Sequence, residues 1–260
     1  MADGYRHLAI DLPGHGDQAL IPNSYAALPL SSNAFATELS PLAHLTAVDY
    51  ATAIRDAAHA ARLAGARRVI GVGHSMGGVP LTFAATSHPH LFDGLIYVSA
   101  LTPLPDRAAG AFLAAAEQHE KSLLNHILIG NPEGIGCLRI NPSSLDDAYL
   151  DAAHDALAAD ISRADFVAVF AQLTPDAPAG IYGEIPEFSG DYGGIGVLPR
   201  RYIRCLRDQT LLPSTASAIV AAMDECWPKR KTELIDLASG HEPMLSQPQH
   251  LTRAITAPMK

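Results

Sequence analysis

Apolar positions along the chain fall into two patterns: short, nearly unbroken runs, and longer stretches repeating at helical spacing. Compact runs at residues 6–12 (RHLAIDL), 68–72 (RVIGV), 95–99 (LIYVS), 201–206 (RYIRCL) and 232–237 (TELIDL) predict buried strands. Pro13 and Gly14 punctuate the first of them. Between the first two runs, Leu45, Val48, Ala51, Ile54, Ala58 and Ala61 line one helical face, so 45–64 predicts an amphipathic helix that Gly65 stops. An apolar helix is expected after residue 75, running to about 87 and closed by Pro89. Pro80 removes a donor near its first turn and is expected to shorten or bend it. Two more helices are predicted, at 214–226 and from 249 onward. Strands alternating with helices predict right-handed crossovers and a mostly parallel sheet, an α/β fold with flanking helices.

Two stretches break this alternation. Residues 16–41 are polar, with Ser and Pro, and predict a loop with at most a short helix. Residues 107–173 predict almost continuous helix, broken at 130–132 and 141–142, and 174–199 is rich in Gly and Pro with little regular pattern. The expected organisation is therefore a core made of 1–103 and 200–260, with a helical cap, 104–199, inserted before the last two strands.

Composition narrows the function classes. The chain has 260 residues, 48% hydrophobic and 17% charged, which is globular and long enough to bury a core without disulfide or metal staples. Its net charge of −9 disfavours polyanionic partners, so neither nucleic acid nor an anionic membrane surface is expected. Cys137, Cys205 and Cys226 lack CxxC spacing and are read as small buried hydrophobes rather than a disulfide framework or zinc site. The opening MADGYRHLAIDLPG has no basic region followed by an apolar stretch, and no apolar run reaches spanning length; a cytoplasmic protein is expected.

The chemistry concentrates at Gly73-His74-Ser75-Met76-Gly77. This matches G-x-S-x-G in the context that gives the pattern meaning, a β-branched strand before and a helix after. A serine exposed on so sharp a turn is strained, and Gly73 and Gly77 are expected to avoid a Cβ clash there. The following helix directs its positive end and the Met76 N–H toward an oxyanion. Of twelve histidines, His241 is the candidate general base, because it lies in a loop after the last predicted strand and Gly240 lets that loop turn sharply. His74 is expected to point away from the site, and His88, His90, His119 and His154 to be surface residues. Asp208, after the RYIRCL strand, is the candidate orienting acid, with a turn aspartate as the competing reading. Asp236 is a rival acid but lies within the last strand. The chain order Ser75, Asp208, His241 suits this fold type.

Residues 11–16 (DLPGHG), 73–78 (GHSMGG) and 239–248 (SGHEPMLSQP) together resemble the α/β-hydrolase superfamily over nearly the whole chain. Residues 199–208 (PRRYIRCLRD), with Pro213 beyond, are similar to the branch holding plant methylesterases, hydroxynitrile lyases and related bacterial carboxylesterases. The resemblance implies a Ser75–His241–Asp208 triad under a helical cap, acting on small esters with no cofactor and no metal. Two positions depart from it. Lyases of the branch carry a lysine directly after the catalytic histidine, where this chain has Glu242. The family also has three strands ahead of the segment resembled by RHLAIDL, and the loop after the third supplies the second oxyanion donor. Neither is identifiable here, so Met76 is the one donor assigned. A natural chain longer by about 30–40 residues is the expected account; a truly short or a degenerate hydrolase are the others.

The function expected is hydrolysis of a small, moderately hydrophobic carboxylic ester through an acyl-enzyme. Its alternatives are a weak or inactive hydrolase-fold protein that binds a small molecule, and a thioester, lactone or C–C bond hydrolase or lyase. A small-molecule substrate is the one partner expected, and a homodimer would cover any open strand edge.

Overall fold

A computed structural model describes residues 5–188 and 194–259 of the chain. Helix α1 (Ala47–Leu63) starts where Thr46 and Asp49 form a reciprocal capping box, two residues later than hydrophobic periodicity suggests. It buries Tyr50, Ala51 and Ala58, and Gly65 follows at φ +85°. Strand β1 (Ile70–His74) also starts two residues late. Asp93 explains the delay, because its carboxylate accepts the Val69 N–H at 2.7 Å and the Arg62 guanidinium at 2.6 Å, holding residue 69 outside the ladder. Helix α2 (Gly78–Ser87) buries every residue from Gly78 to Ala85. Pro80 leaves it intact, because the third residue of a helix has no intrahelical acceptor for its N–H.

Strand β2 (Gly94–Val98) is buried at all five positions, since it lies between β1 and β5 (Arg200–Cys205). Two short strands lie between β2 and β5 in sequence, β3 (Cys137–Arg139) and β4 (Asp176–Pro178); they pair with each other, antiparallel, apart from the main sheet. Helix α3 (Asp147–Leu157) and helix α4 (Arg163–Phe170) lie between them in sequence. After β5 come α5 (Pro213–Cys226), β6 (Glu233–Leu237) and α6 (Pro248–Thr256). The main sheet is ordered β1-β2-β5-β6, and every pairing in it is parallel. One face packs on α1, α2 and α5 through Tyr50, Val79, Leu81, Leu95, Tyr97 and Ile219, among others. The other face packs on α6, with Ile96, Val98 and Ile203 against Leu251 and Ala254.

Two expectations are corrected. Residues 6–12 form no strand: they carry no regular secondary structure, Leu8 is 72% exposed, and β1 is the edge of the described sheet, with Val72 also exposed. An apolar run becomes a strand only when a neighbour satisfies its backbone groups, and no described strand lies beside this segment. Residues 107–173 are also less helical than expected. They hold short helical turns, such as Gly110–Leu113, Ala116–Lys121 and Pro132–Ile135, besides α3 and α4, and they contribute β3. The predicted breaks do fall between elements, with Asn131 capping the turn at Pro132. Part of the irregular stretch 174–199, namely 189–193, lies outside the described residues. No helix among the described residues is long and apolar enough to cross a membrane.

The β3–β4 pair is fixed by a buried ion pair. Arg139 meets Asp176 through two hydrogen bonds of 2.7 Å, with both side chains fully buried, and also donates to the Phe35 and Glu38 carbonyls. Asp176→Ala would leave a buried guanidinium without its counter-charge, at an expected cost of about 3–5 kcal/mol. Urea unfolding checks this; a loss below about 1 kcal/mol, the scale of exposed pairs, would contradict it.

Candidate active site

All four strands of the main sheet run parallel, so their carboxyl ends share one rim, the usual place for ligands in such sheets. Ser75 follows directly on β1 and has φ +51°, a left-handed conformation rare for a residue with a side chain. The turn Ser75–Gly77 leads into α2, so Ser75 sits between a strand end and a helix start. Crowding at this turn involves Gly73 and Gly78. A Cβ on Gly73 would lie 2.7 Å from the Gly77 oxygen, and one on Gly78 would collide with the Leu101 carbonyl. Gly77, expected to be the second obligatory glycine, has open space where its Cβ would be. Met76, the assigned oxyanion donor, is the residue after Ser75 in this turn, with its side chain packed on the main core.

The structure brings Ser75, His241 and Asp208 together. His241 Nε2 lies 2.9 Å from Ser75 Oγ and its Nδ1 lies 2.7 Å from Asp208 Oδ2. A carboxylate only accepts, so Nδ1 carries the proton and Nε2 presents its lone pair to the Ser75 hydroxyl. Both His241 and Asp208 are buried, at 2% and 1% exposure. Burial alone would lower the His241 pKa, but the charge and hydrogen bond of Asp208, helped by the charge of Glu242, outweigh it and raise it above 6.5. The turn reading of Asp208 holds alongside: its other oxygen, Oδ1, accepts the Thr210 and Leu211 amides at 2.8 Å each. Asp236, the rival acid, pairs instead with Arg204 at 2.8 Å on a partly exposed face.

Sequence reasoning misses one residue at the site and misplaces another. Ser99 follows β2, is fully buried, has φ +39° and donates its hydroxyl to Asp208 Oδ2, the oxygen that also receives His241. Its one sequence signal is its place at the end of the LIYVS run. The expectation that His74 points away is corrected. The loop carrying His241 crosses back over the strand ends, and the His74 Nε2–H donates to the His241 carbonyl at 2.8 Å, with the two rings 4.8 Å apart. Burial, ahead of the charges around it, lowers the pKa of His74. His74, His241 and Glu242 also place ligating atoms within 4.8 Å of one another, but a cation there would compete for the His241 nitrogens that bond Asp208 and Ser75.

The inserted segment reaches the loop after β5. Gln118 and Ser122 both donate to the Thr210 carbonyl, at 2.7 and 2.8 Å, and Gln118 Oε1 accepts from the Leu212 amide and the Thr215 hydroxyl. The DLPGHG segment has a local role. Asp11 accepts the Asp17 amide, and His15 bridges the Tyr50 and Thr174 hydroxyls at 2.6 and 3.0 Å.

Comparison with known proteins agrees with this architecture. A pyrethroid hydrolase from Sphingobium faniae superposes with a TM-score of 0.62 at 21% identity, over 83% of this chain and 78% of that one. Polyneuridine aldehyde esterase gives 0.62 at 20% identity, over 81% and 78%. An extracellular α/β-hydrolase from a Paenibacillus species gives 0.60 at 14% identity, over 85% and 83%. These likenesses concern the fold. No curated protein sequence matches significantly. The sequence profile described as the alpha/beta hydrolase family matches residues 1–255, and the chain belongs to that family.

Proposed function

We propose that the protein is a serine esterase that cleaves a small, moderately hydrophobic carboxylic ester through an acyl-enzyme. The observation that carries this reading is the continuous hydrogen-bond chain from the Ser75 hydroxyl through the His241 imidazole to the Asp208 carboxylate. Ser75 Oγ attacks the ester carbonyl carbon while His241 Nε2 takes its proton. The Met76 N–H donates to the oxyanion of the tetrahedral intermediate. As the intermediate collapses, His241 returns the proton to the departing alkoxide, leaving Ser75 acylated. Water, activated by the same nitrogen, then releases the acid. Asp208 remains ionised throughout and stabilises the imidazolium.

Residues 104–199 act in this reading as a cap, whose Ala-, Leu- and Phe-rich sequence suits a neutral ester without demanding a cofactor or metal. The fastening of Gln118 and Ser122 beside Asp208 supports that placement. Among the similar structures, one is named an esterase and another a pyrethroid hydrolase, which also favours hydrolysis. Free thiols at Cys137, Cys205 and Cys226 suit a reducing, cytoplasmic setting.

A short p-nitrophenyl ester should be turned over, and a fluorophosphonate probe should label Ser75. Ser75→Ala should lose the label and about 10⁶-fold in kcat; a label that persists in this variant rejects the site.

The pH dependence has a definite sign. Only neutral His241 can accept the Ser75 proton, and its pKa is raised, so the acid limb of kcat/KM should fall above pH 6.5. Asp208→Asn removes the charge that opposes burial. The limb should then move to lower pH while the plateau falls about 10⁴-fold. A limb that stays in place would show that Asp208 does not face the base.

A further inference from the structure

The glycine before His241 has a different reason from the one its sequence suggests. Gly240 does not adopt a positive φ. It leaves room for a side chain from the inserted segment: a Cβ on Gly240 would lie 2.8 Å from Asp160 Oδ1. The other oxygen of Asp160 accepts the Gly240 N–H at 2.7 Å, across 80 residues of sequence. Oδ1 itself is buried and has no hydrogen-bond partner among the described residues. Burying a carboxylate oxygen without a partner costs free energy, so this side chain is a poor choice for stability alone.

Asp160 stands on a well-supported turn between α3 and α4. The Ile161 amide bonds the Ala158 carbonyl at 3.1 Å, and His154, expected at the surface, donates from Nε2 to the Ile161 carbonyl at 3.0 Å and packs on Phe166. Ile127, Leu150, Ala153, Phe166 and Phe170 form a separate apolar cluster beneath the turn. Asp160 is therefore held in place, and it grips the peptide that carries the imidazole. The His241 pKa is governed by burial, Asp208 and Glu242. The influence of Asp160 on the base would be one of position.

We infer that Asp160 is a positioning residue for His241: through the Gly240 amide it fastens the imidazole-bearing loop to the inserted segment and fixes the ring relative to Ser75. This rests on the esterase reading for its kinetic consequence, but the geometric claim stands apart from it. A misplacement of the base by a fraction of an ångström to 1 Å costs on the order of 10- to 100-fold in turnover.

The test compares Asp160→Ala with Asp160→Asn, which keeps an acceptor oxygen, and with Arg163→Gln. The last breaks the exposed Arg163 pairs to Asp147 and Asp151 that join α3 to α4, without touching the His241 loop. Asp160→Ser, too short to reach Gly240, replaces the alanine variant should that fail to fold. The expected result is a kcat lower by about 10- to 100-fold in Asp160→Ala, an unmoved acid limb, and near wild-type turnover in Asp160→Asn and Arg163→Gln. Wild-type kcat in Asp160→Ala overturns the inference, as does an equal loss in Arg163→Gln, which would mean general loosening of the segment. Should the wild-type protein turn over no ester, the esterase reading fails. The inference is then decided by the low-field NMR signal of the His241 Nδ1 proton. Faster exchange with water in Asp160→Ala alone supports it, and an unchanged signal overturns it.

Discussion

Asp208 divides its carboxylate between the backbone and a side-chain relay, and much of the site depends on that division. Oδ1 accepts the amides of Thr210 and Leu211, which fixes the loop after β5. Oδ2 accepts the Ser99 hydroxyl and the His241 imidazole. A carboxylate only 1% exposed is costly unless its lone pairs are used, and four donors use them here. Loop conformation and ring orientation are therefore set by one group and cannot vary independently. The same loop continues into Thr210, whose carbonyl receives Gln118 and Ser122 and whose hydroxyl bonds the Ala156 carbonyl. Order at Asp208 thus extends into the inserted segment.

The sheet order explains why so few residues are needed. Each of the four main strands is followed, at once or within a short loop, by one member of the chain Ser75, His241, Asp208, Ser99, contributed in turn by β1, β6, β5 and β2. Strands stand about 4.8 Å apart, so β6 lies roughly 14 Å from β1. His241 can meet Ser75 only if its loop returns across the rim. The return is held at its underside by His74, which donates to the His241 carbonyl, and at its start by the Arg207 amide, which bonds the Ser239 carbonyl at 2.9 Å. The two non-glycine residues with positive φ, Ser75 and Ser99, both belong to this relay, which places the backbone strain of the described chain at the site.

What the sequence made legible follows from the range of each signal. The elbow at Ser75 is local: a β-branched run, a glycine and a helix in immediate succession. The alternation of strands and helices that predicts a parallel sheet is equally local, and only its boundaries shift, because Thr46 and Asp93 set them by side-chain bonds. RHLAIDL shows the limit of that reasoning. Its apolar run is the pattern of a strand, but strandedness depends on a neighbour, and most of its residues face water while Leu12 packs on the core. Strands β3 and β4 were invisible for another reason. Three residues cannot display a period of two, and their pairing is fixed by Arg139 and Asp176, 37 positions apart. Asp160 carries no local signature and Ser99 only its place after the LIYVS run; each is defined by a partner more than 75 residues away. Gly240 is conspicuous in the sequence for its freedom to turn, whereas its structural role is to admit the Asp160 side chain.

The charges around His241 bear on the kind of ester the site suits. Two carboxylates act on one imidazole, Asp208 by contact and Glu242 from the next position along the chain, and both raise its pKa against the effect of burial. A stronger base takes the Ser75 proton more readily, but it is also protonated over a wider range of acid pH. Burial opposes both carboxylates and limits that rise in pKa. The same negative charge bears on what approaches. Glu242 is partly exposed beside His74. An anionic substrate or leaving group would meet repulsion there at short range, while a neutral ester would not. In the esterase reading we propose, Glu242 would add to the basicity of His241 and disfavour an anionic substrate.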